Sequence, residues 1–369
     1  MARKILIVID DFFPEYAAPS VRINSFIKHL NDEVYVLGGS TRKKNKFISV
    51  KRPNEKHFFK FVFFLLKMNF LAVFHSIRLR PDITIVTIPK YELLFSSLFL
   101  KIFSKKLIID IRDSYKFINY EAYFKHFLPD YFAKFFGKIV KSFIGLFLWV
   151  SLFLSSRIIV ANKGIYDSIS FRGKAFIVSN GVDTDLFRPT KTNKIEEKIS
   201  LVYMGNFAEK DYFGFLFNLP DSAKSKLVVH LIGDGRNRER TIEEFNRFNI
   251  NYIFHGFRDH KSIPELLSSM NAGFIFREKS VKESIPVVIY EFCSMSIPVI
   301  TNNVGIMSEI VKKSAIGEVI ENETDFSNLI SEMFYNKKYF SKFSKLHRIA
   351  VDNFSRETES MKFKKCLDF

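Results

Sequence analysis

Residues 278–305 read EKSVKESIPVVIYEFCSMSIPVITNNVG. Glu283 and Glu291 stand eight positions apart, with Pro286 between them. Proline suits the first turn of a helix, where its missing N–H has no partner to lose. The run IPVIT at 297–301 is apolar and reads as a buried strand. The stretch therefore predicts a loop, a helix from about Pro286, then a strand. At such a helix start the amides of Ile285, Val287 and Val288 have no upstream carbonyls, and the helix dipole adds positive potential, so the spot suits a phosphate. Glu291 falls four residues after Val287, on the same helix face, within reach of ribose hydroxyls beside a bound diphosphate. Glu283, on the loop, reaches toward a sugar beyond it. The alternative is two solvated glutamates around an ordinary helix start.

Outward from this stretch, apolar runs alternate with helical patterns in both directions. Toward the N-terminus come strands at 272–276, 252–257, 227–232 and 200–204, with helices at 263–270 and 238–248. Farther back, strands are expected at 175–178, 157–161, 107–111, 81–87, 33–37 and 4–9, with helices at 92–103 and 21–30, the last capped by Ser20. Alternation of this kind predicts α/β architecture with parallel sheets, and ligands of such sheets bind beyond the carboxyl ends of the strands. At those ends stand Gly205-Asn206 with Lys210, Gly256-Phe257-Arg258, and Arg112-Asp113. Glycine at a strand end lets backbone approach a phosphate, and Lys210 can neutralise a diphosphate or simply be solvated. Arg112 and Asp113 can meet a phosphate and an acceptor hydroxyl, or pair with each other. Arg22, in the first turn of its helix, is either a phosphate partner or a surface arginine. His255 is expected to be a packed strand histidine. The triplet Asp183-Thr184-Asp185 follows an Asn-Gly turn and not a buried strand, so Asp183 is expected to fix that turn and not to bind metal.

The pattern Glu283-Ser284-Ile285-Pro286, Glu291, then Ile297-Pro298-Val299-Ile300 resembles the donor-site signature of glycosyltransferase family 4. So does Asn180-Gly181-Val182-Asp183 with Phe187, which is similar to that family's interdomain segment. Ser284, Ser296, Ala17-Ala18 and Asn206 depart from its usual glycines and arginine. The resemblance implies the GT-B fold, two Rossmann-like doubly wound parallel-sheet domains facing a cleft. The implied domains are 1–182 on the acceptor side, 183–353 binding the nucleotide sugar, and a helix over 354–369 crossing back to the first domain. It also implies roles. Glu283 and Ser284 would hold the sugar, and the 285–288 backbone with Gly205, Asn206 and Lys210 the diphosphate. Glu291 would hold the ribose, and Gly256, Phe257 and Arg258 the base edge. Ala18 and Arg22 would face the donor phosphates, and Asp113 would serve as the acceptor-side base. The reaction would retain anomeric configuration, need no metal and no cofactor, and use a nucleotide sugar, UDP-linked by expectation, as co-substrate.

The chain of 369 residues is long enough for two cores, and 47% of it is hydrophobic, which excludes disorder. Cys293 and Cys366 give no disulfide framework and no metal spacing; a reducing, cytoplasmic compartment and no leader segment are expected. The net charge of +17 implies an anionic partner. Residues 41–80 carry eleven Lys/Arg against one carboxylate, Glu55, and end in aromatics massed beside Lys60 and Lys67. A basic, aromatic amphipathic segment predicts an interfacial helix on anionic lipid. The uncharged run at 143–154 is shorter than the roughly 20 residues of a span. The alternative is that both are buried helices. Aromatics in apolar runs are not spaced for base stacking, so nucleic acid is not expected.

These features predict a hexosyltransferase, peripheral on the inner face of the cytoplasmic membrane. It would act on a lipid-linked or nascent surface glycan such as capsule, O-antigen or lipopolysaccharide. A nucleotide-sugar epimerase of the same fold and a non-catalytic membrane-associated scaffold stay open.

Overall fold

The computed structural model describes residues 2–10, 12, 18–39, 47–51, 53, 58–88, 91–115, 120–125, 128–190, 197–281 and 285–368. The chain divides into two compact units, residues 1–180 with 359–369, and residues 181–358.

The first unit runs β1 (Lys4–Ile9), α1 (Ala18–Lys28), β2 (Glu33–Gly39), β3 (Phe47–Val50), α2 (Phe58–Leu79), β4 (Ile83–Ile88), a 3-10 segment (Tyr91–Ser96), α3 (Ser97–Phe103), β5 (Lys106–Ile111), α4 (Glu121–Phe124), α5 (Asp130–Leu154), β6 (Arg157–Val160), α6 (Lys163–Ser168) and β7 (Ala175–Ile177). Its parallel sheet has the order β3-β2-β1-β4-β5-β6-β7. Both faces of the sheet are covered, which is why the strands read as continuous apolar runs. Leu6, Val8, Leu107 and Ile109 face α2, the 3-10 segment, α3 and α5. Ile5, Ile7, Ile9 and Ile108 face α1 and the C-terminal segment, where Phe26 stacks on Phe363 at 4.3 Å between centroids.

The second unit runs β8 (Ile199–Gly205), α7 (Gly214–Phe217), α8 (Asp221–Lys224), β9 (Leu227–Gly233), α9 (Arg238–Arg247), β10 (Tyr252–Gly256), α10 (Ile263–Leu267), β11 (Ala272–Ile275), α11 (Val288–Ser294), β12 (Val299–Asn302), α12 (Gly305–Lys313), β13 (Gly317–Ile320), α13 (Glu323–Tyr335) and α14 (Leu346–Phe354). Helix α15 (Arg356–Leu367) starts in this unit and ends in the first. The sheet order is β10-β9-β8-β11-β12-β13, again all parallel. In each sheet the chain order reverses beside the first strand, between β1 and β4 and between β8 and β11. Ligands of doubly wound sheets bind at the carboxyl edge of such switch points.

Three local expectations are corrected. Helix α1 begins at Ala18, so Ser20 is an interior residue and not the cap; Pro19 is tolerated in that first turn because its N–H is not needed there. The helix expected over 92–103 opens as a 3-10 segment. There Asn69 intervenes, accepting from the Ser96 amide at 2.9 Å and donating to the Glu92 carbonyl at 3.0 Å. Helix α5 extends back from the uncharged run to Asp130. Lys134, Lys138 and Lys141 interrupt the apolar pattern in sequence, but at i, i+4, i+7 they share one side of the helix.

Candidate nucleotide-sugar site

The carboxyl edge of β8 is built by close backbone contact. A Cβ on Gly233 would lie 1.9 Å from the Gly205 carbonyl oxygen, and one on Gly235 would lie 1.5 Å from that of Asn206. Only glycine fits at either place, so the turn after β9 carries the loop after β8. Gly233 also sits at φ +126°, open to glycine but rarely to other residues. Asn206 and Lys210 are exposed on that loop.

The same loop is stitched to the segment after β11. Tyr212 N donates to the Phe276 carbonyl at 3.1 Å, and Glu278 N to the Lys210 carbonyl at 3.1 Å. Asp211 accepts from the Ala208 amide at 2.7 Å and pairs with the Arg277 guanidinium, both side chains almost wholly buried. The Arg277 backbone is held in turn by Asn302, which accepts from its amide at 2.9 Å and donates to its carbonyl at 2.8 Å. Burial pulls the Arg277 guanidinium below its ordinary pKa. The Asp211–Arg277 pair thus fixes the backbone beside Lys210. Sequence spacing gave no sign of it, because its members lie on loops far apart in the chain.

Helix α11 starts at Val288, two residues after Pro286. Glu291 lies in its first turn, 5% exposed, with Oε1 2.9 Å from His260 Nε2. His260 packs against the Phe187 ring at 5.0 Å between centroids. Arg356, lowered in pKa by burial, feels the opposing charges of Glu291 and Asp183, and its Nη1 lies 3.8 Å from Asp183 Oδ2. Glu291 is therefore seated in a polar network, not solvated. His260 and Arg356 were not anticipated; a His in a loop and an Arg in a tail carry no linear signal. Glu283 and Ser284 lie outside the described residues. Ile285, Pro286, Val287 and Val288 are half-buried.

Gly256 ends β10 at φ +68°, and Phe257 and Arg258 are exposed beyond it. His255 does pack in its strand, hydrogen-bonded to His230 at 2.9 Å. Burial lowers both imidazoles, His230 to about 4. Asp183 caps its own turn, accepting from the Leu186 amide at 3.1 Å. Cys293 is core, its thiol pushed up to about 12 by burial.

In the first unit the expectation for Arg22 is corrected. Its side chain is fully buried, paired with Asp110 at 3.0 Å, and donates to the carbonyls of Val178 and Ser179 at 2.8 and 2.7 Å. An arginine so committed ties the end of β7 to the sheet and has no reach toward a phosphate. The Arg112 side chain is also buried; among the described residues its ion pair is with Asp10 at 3.8 Å, not the neighbouring Asp113, and desolvation lowers its pKa. Asp113 is exposed at the carboxyl edge of β5, its carbonyl accepting from Tyr91 Oη at 2.6 Å. Ala18 opens α1, and its side chain is outside the described set. Among the described residues no three His, Cys, Asp or Glu side chains cluster closely enough to hold a metal.

Residues 186–348 match the family model described as glycosyl transferases group 1. That match covers the stitched loops, Glu291 and the whole sheet of the second unit. No curated protein sequence matches this chain. Solved structures match over both units. HepE of Anabaena, in complex with UDP and glucose, aligns with a TM-score of 0.71 at 14% identity, covering 99% of each chain. Sucrose-phosphate synthase from Thermosynechococcus elongatus aligns at 0.75 and 13% identity, covering 99% of this chain and 98% of that one. A lipopolysaccharide outer core galactosyltransferase in its apo form aligns at 0.65 and 16%, covering 99% of each. The fold is GT-B.

Proposed function

We propose that the protein is a retaining, metal-independent hexosyltransferase that moves a sugar from a UDP-linked donor to a lipid-linked or nascent surface glycan. The observation that carries this reading is the seating of Glu291 in the first turn of α11, within the group 1 match and in the same unit as the stitched loop bearing Lys210. Departure of a nucleoside diphosphate leaves extra negative charge, and fixed positive groups lower that barrier most effectively when already in place. Lys210 and the amides of Ile285, Val287 and Val288 take the diphosphate, beside Gly205 and Asn206. Glu291 keeps Oε1 on His260 and offers its other oxygen to the ribose. Gly256, Phe257 and Arg258 take the base edge, and Glu283 with Ser284 the sugar hydroxyls. Asp113 receives the acceptor proton, with Arg112 as the charge behind it. The donor is the co-substrate, and no other cofactor is used.

The first unit supports a membrane-bound acceptor. Helices α2 and α5 are long and apolar enough to cross a bilayer by length and composition. Yet each packs one face on the sheet, through Phe61, Phe64 and Met68, and through Ile144 and Leu152. A span would strip those contacts, so the reading is of helices lying in the interface. Their other faces expose Phe63, Phe70 and Phe74, and Phe132, Phe143 and Trp149, while α3 between them exposes Phe99 and Ile102. Lys60, Lys67, Lys134 and Lys138 are exposed on the same helices, as an anionic inner leaflet requires.

The test is a screen of nucleotide sugars for hydrolysis and transfer, run with Glu291→Ala and Glu283→Ala. Each variant is expected to lose about 100-fold or more in turnover, roughly 2.7 kcal/mol of transition-state stabilisation. Unchanged turnover in both removes the site assignment.

A further inference from the structure

Under the C-terminal half of α5 the first unit holds a cavity of about 190 Å³. Its lining is mostly carbon, from Leu148, Leu152, Ile165 and the rings of Tyr91, Tyr115 and Trp149. Among its described lining residues none is acidic, and the polar ones include Ser168 and Ser170. Trp149 belongs both to this lining and to the outer surface, since it is 50% exposed. It stacks on the equally exposed Phe153 at 5.8 Å between centroids, and both continue the outward apolar stripe of α5. The cavity is therefore joined to the bare face of the helix by side chains that need not cross water.

Lysines stand at its outer edge. Lys141 lies over the Tyr115 ring at 5.8 Å. Lys174 lies over the Phe171 ring at 5.2 Å but donates to the carbonyls of Phe153 and Ser155 at 2.7 and 2.8 Å, so it ties the end of α5 down; Phe171 itself contacts Trp149. On the inner side Tyr91 donates to the Asp113 carbonyl at 2.6 Å, so the lining is one hydrogen bond from the proposed acceptor-side base.

We propose that this cavity takes the head-proximal part of the hydrocarbon chain of a phosphate-bearing lipid, admitted past Trp149, with the anionic head left beside Lys141. The proposal rests on the lipid-linked acceptor reading and names the part of the acceptor that the first unit holds. A chain leaving a bilayer for an apolar cavity gains little from the hydrophobic effect, because both surroundings are apolar. What the cavity supplies in a membrane is position: it holds the head at a fixed distance from Asp113, where orientation lowers the barrier. In water, each buried methylene contributes about 0.8 kcal/mol, so a soluble chain makes the binding measurable.

Trp149 is the single tryptophan of the chain, so its emission reports the site in the full-length protein. The probe is dodecyl phosphate below its micelle concentration, with inorganic phosphate and dodecyltrimethylammonium for comparison. A saturable change is expected with dodecyl phosphate, about tenfold weaker with the cationic amphiphile and absent with inorganic phosphate. Ser168→Phe fills the cavity, and Ser170→Phe blocks it from an exposed position where unfolding is not at issue; each is expected to weaken binding about tenfold or more. Phe70→Ser on α2 is expected to leave the titration unchanged. A response that never saturates overturns the proposal, as does saturation indifferent to both serine variants or equal affinity for the cationic amphiphile. UDP binding, measured calorimetrically on the same samples, separates the two ideas. Its absence sinks the transferase reading and leaves the chain-binding result standing.

Discussion

Helices α9 and α5 cover sheets of the same kind, and they turn opposite chemistries outward. Helix α9 buries Thr241 and Phe245 and gives solvent its arginines and glutamates, with Arg240 and Glu244 paired at 3.2 Å. Helix α5 buries Ala133, Gly137, Ile144, Ser151 and Leu152 and gives solvent Phe, Leu and Trp. Among the described residues of the second unit, only Ile253, Phe257, Tyr335 and Val351 are exposed large apolar side chains. The lesson is that a doubly wound unit fixes only the inner face of its helices. The outer face is free to differ: charged on α9 of the second unit, and in the first unit an apolar stripe over α2, α3 and α5, the kind of exposed patch that marks an interaction surface.

The comparison breaks first at the buried ion pairs. The described residues of each unit include a close one, Arg22–Asp110 and Asp211–Arg277. Removing one partner of such a pair strands the other charge and costs about 3–5 kcal/mol. Arg22→Ala is therefore expected to lower the urea midpoint read from Trp149, which lies in the first unit. Arg277→Ala should instead lower the midpoint read from overall helicity while Trp149 moves little. Equal shifts in both probes mean that the units unfold as one.

Next comes the exposed apolar face of α2 and α5, which the proposed function sets against lipid. Burying a phenylalanine side chain contributes roughly 1.5–3 kcal/mol. The double variant Phe70→Ser, Phe143→Ser should weaken co-sedimentation with anionic vesicles about 100-fold. Stability should hold, since both side chains are already exposed. Ile253→Ser in the second unit should change neither. If the double variant binds vesicles like the parent protein, the two units do not differ in the way the helices suggest.

Smaller is the charge on the same face. A basic residue near an anionic surface contributes about 1 kcal/mol, so Lys138→Gln should weaken binding about fivefold in low salt and not at all on zwitterionic vesicles.

The smallest effect sharpens the picture of the second unit. His230, half-buried against His255, is lowered by desolvation to about 4 from the usual 6.5. Below 6.5 the unfolded chain binds the proton more readily than the folded one, so stability falls as pH drops from 6.5 toward 4 and is flat above. His230→Asn should flatten that slope in pH-dependent denaturation.

The central strands were legible because a sheet covered on both faces leaves uninterrupted apolar runs; β1, β4, β5 and β8 lie within a residue or two of expectation. Four-residue strands at the sheet edges and mostly half-buried, such as β3 and β13, left no such trace. The placement of Glu291 in the first turn of a helix and of Lys210 on the loop after β8 was legible because local helix and turn chemistry marks those positions. The partners of Glu291, His260 and Arg356, and the loop-fixing pair Asp211–Arg277 were not, since their meaning depends on which loops meet.

Sequence alone determined the α/β alternation, a helix beginning within two residues of Pro286 and the excess of positive charge, because each is a property of neighbours in the chain. Only the tertiary structure decided that Arg22 is an internal tie, that Glu291 is held by His260, and that the aromatic runs of α2 and α5 are half core and half bare. Burial and pairing are settled between segments far apart in the chain, and no local pattern encodes which segments those are.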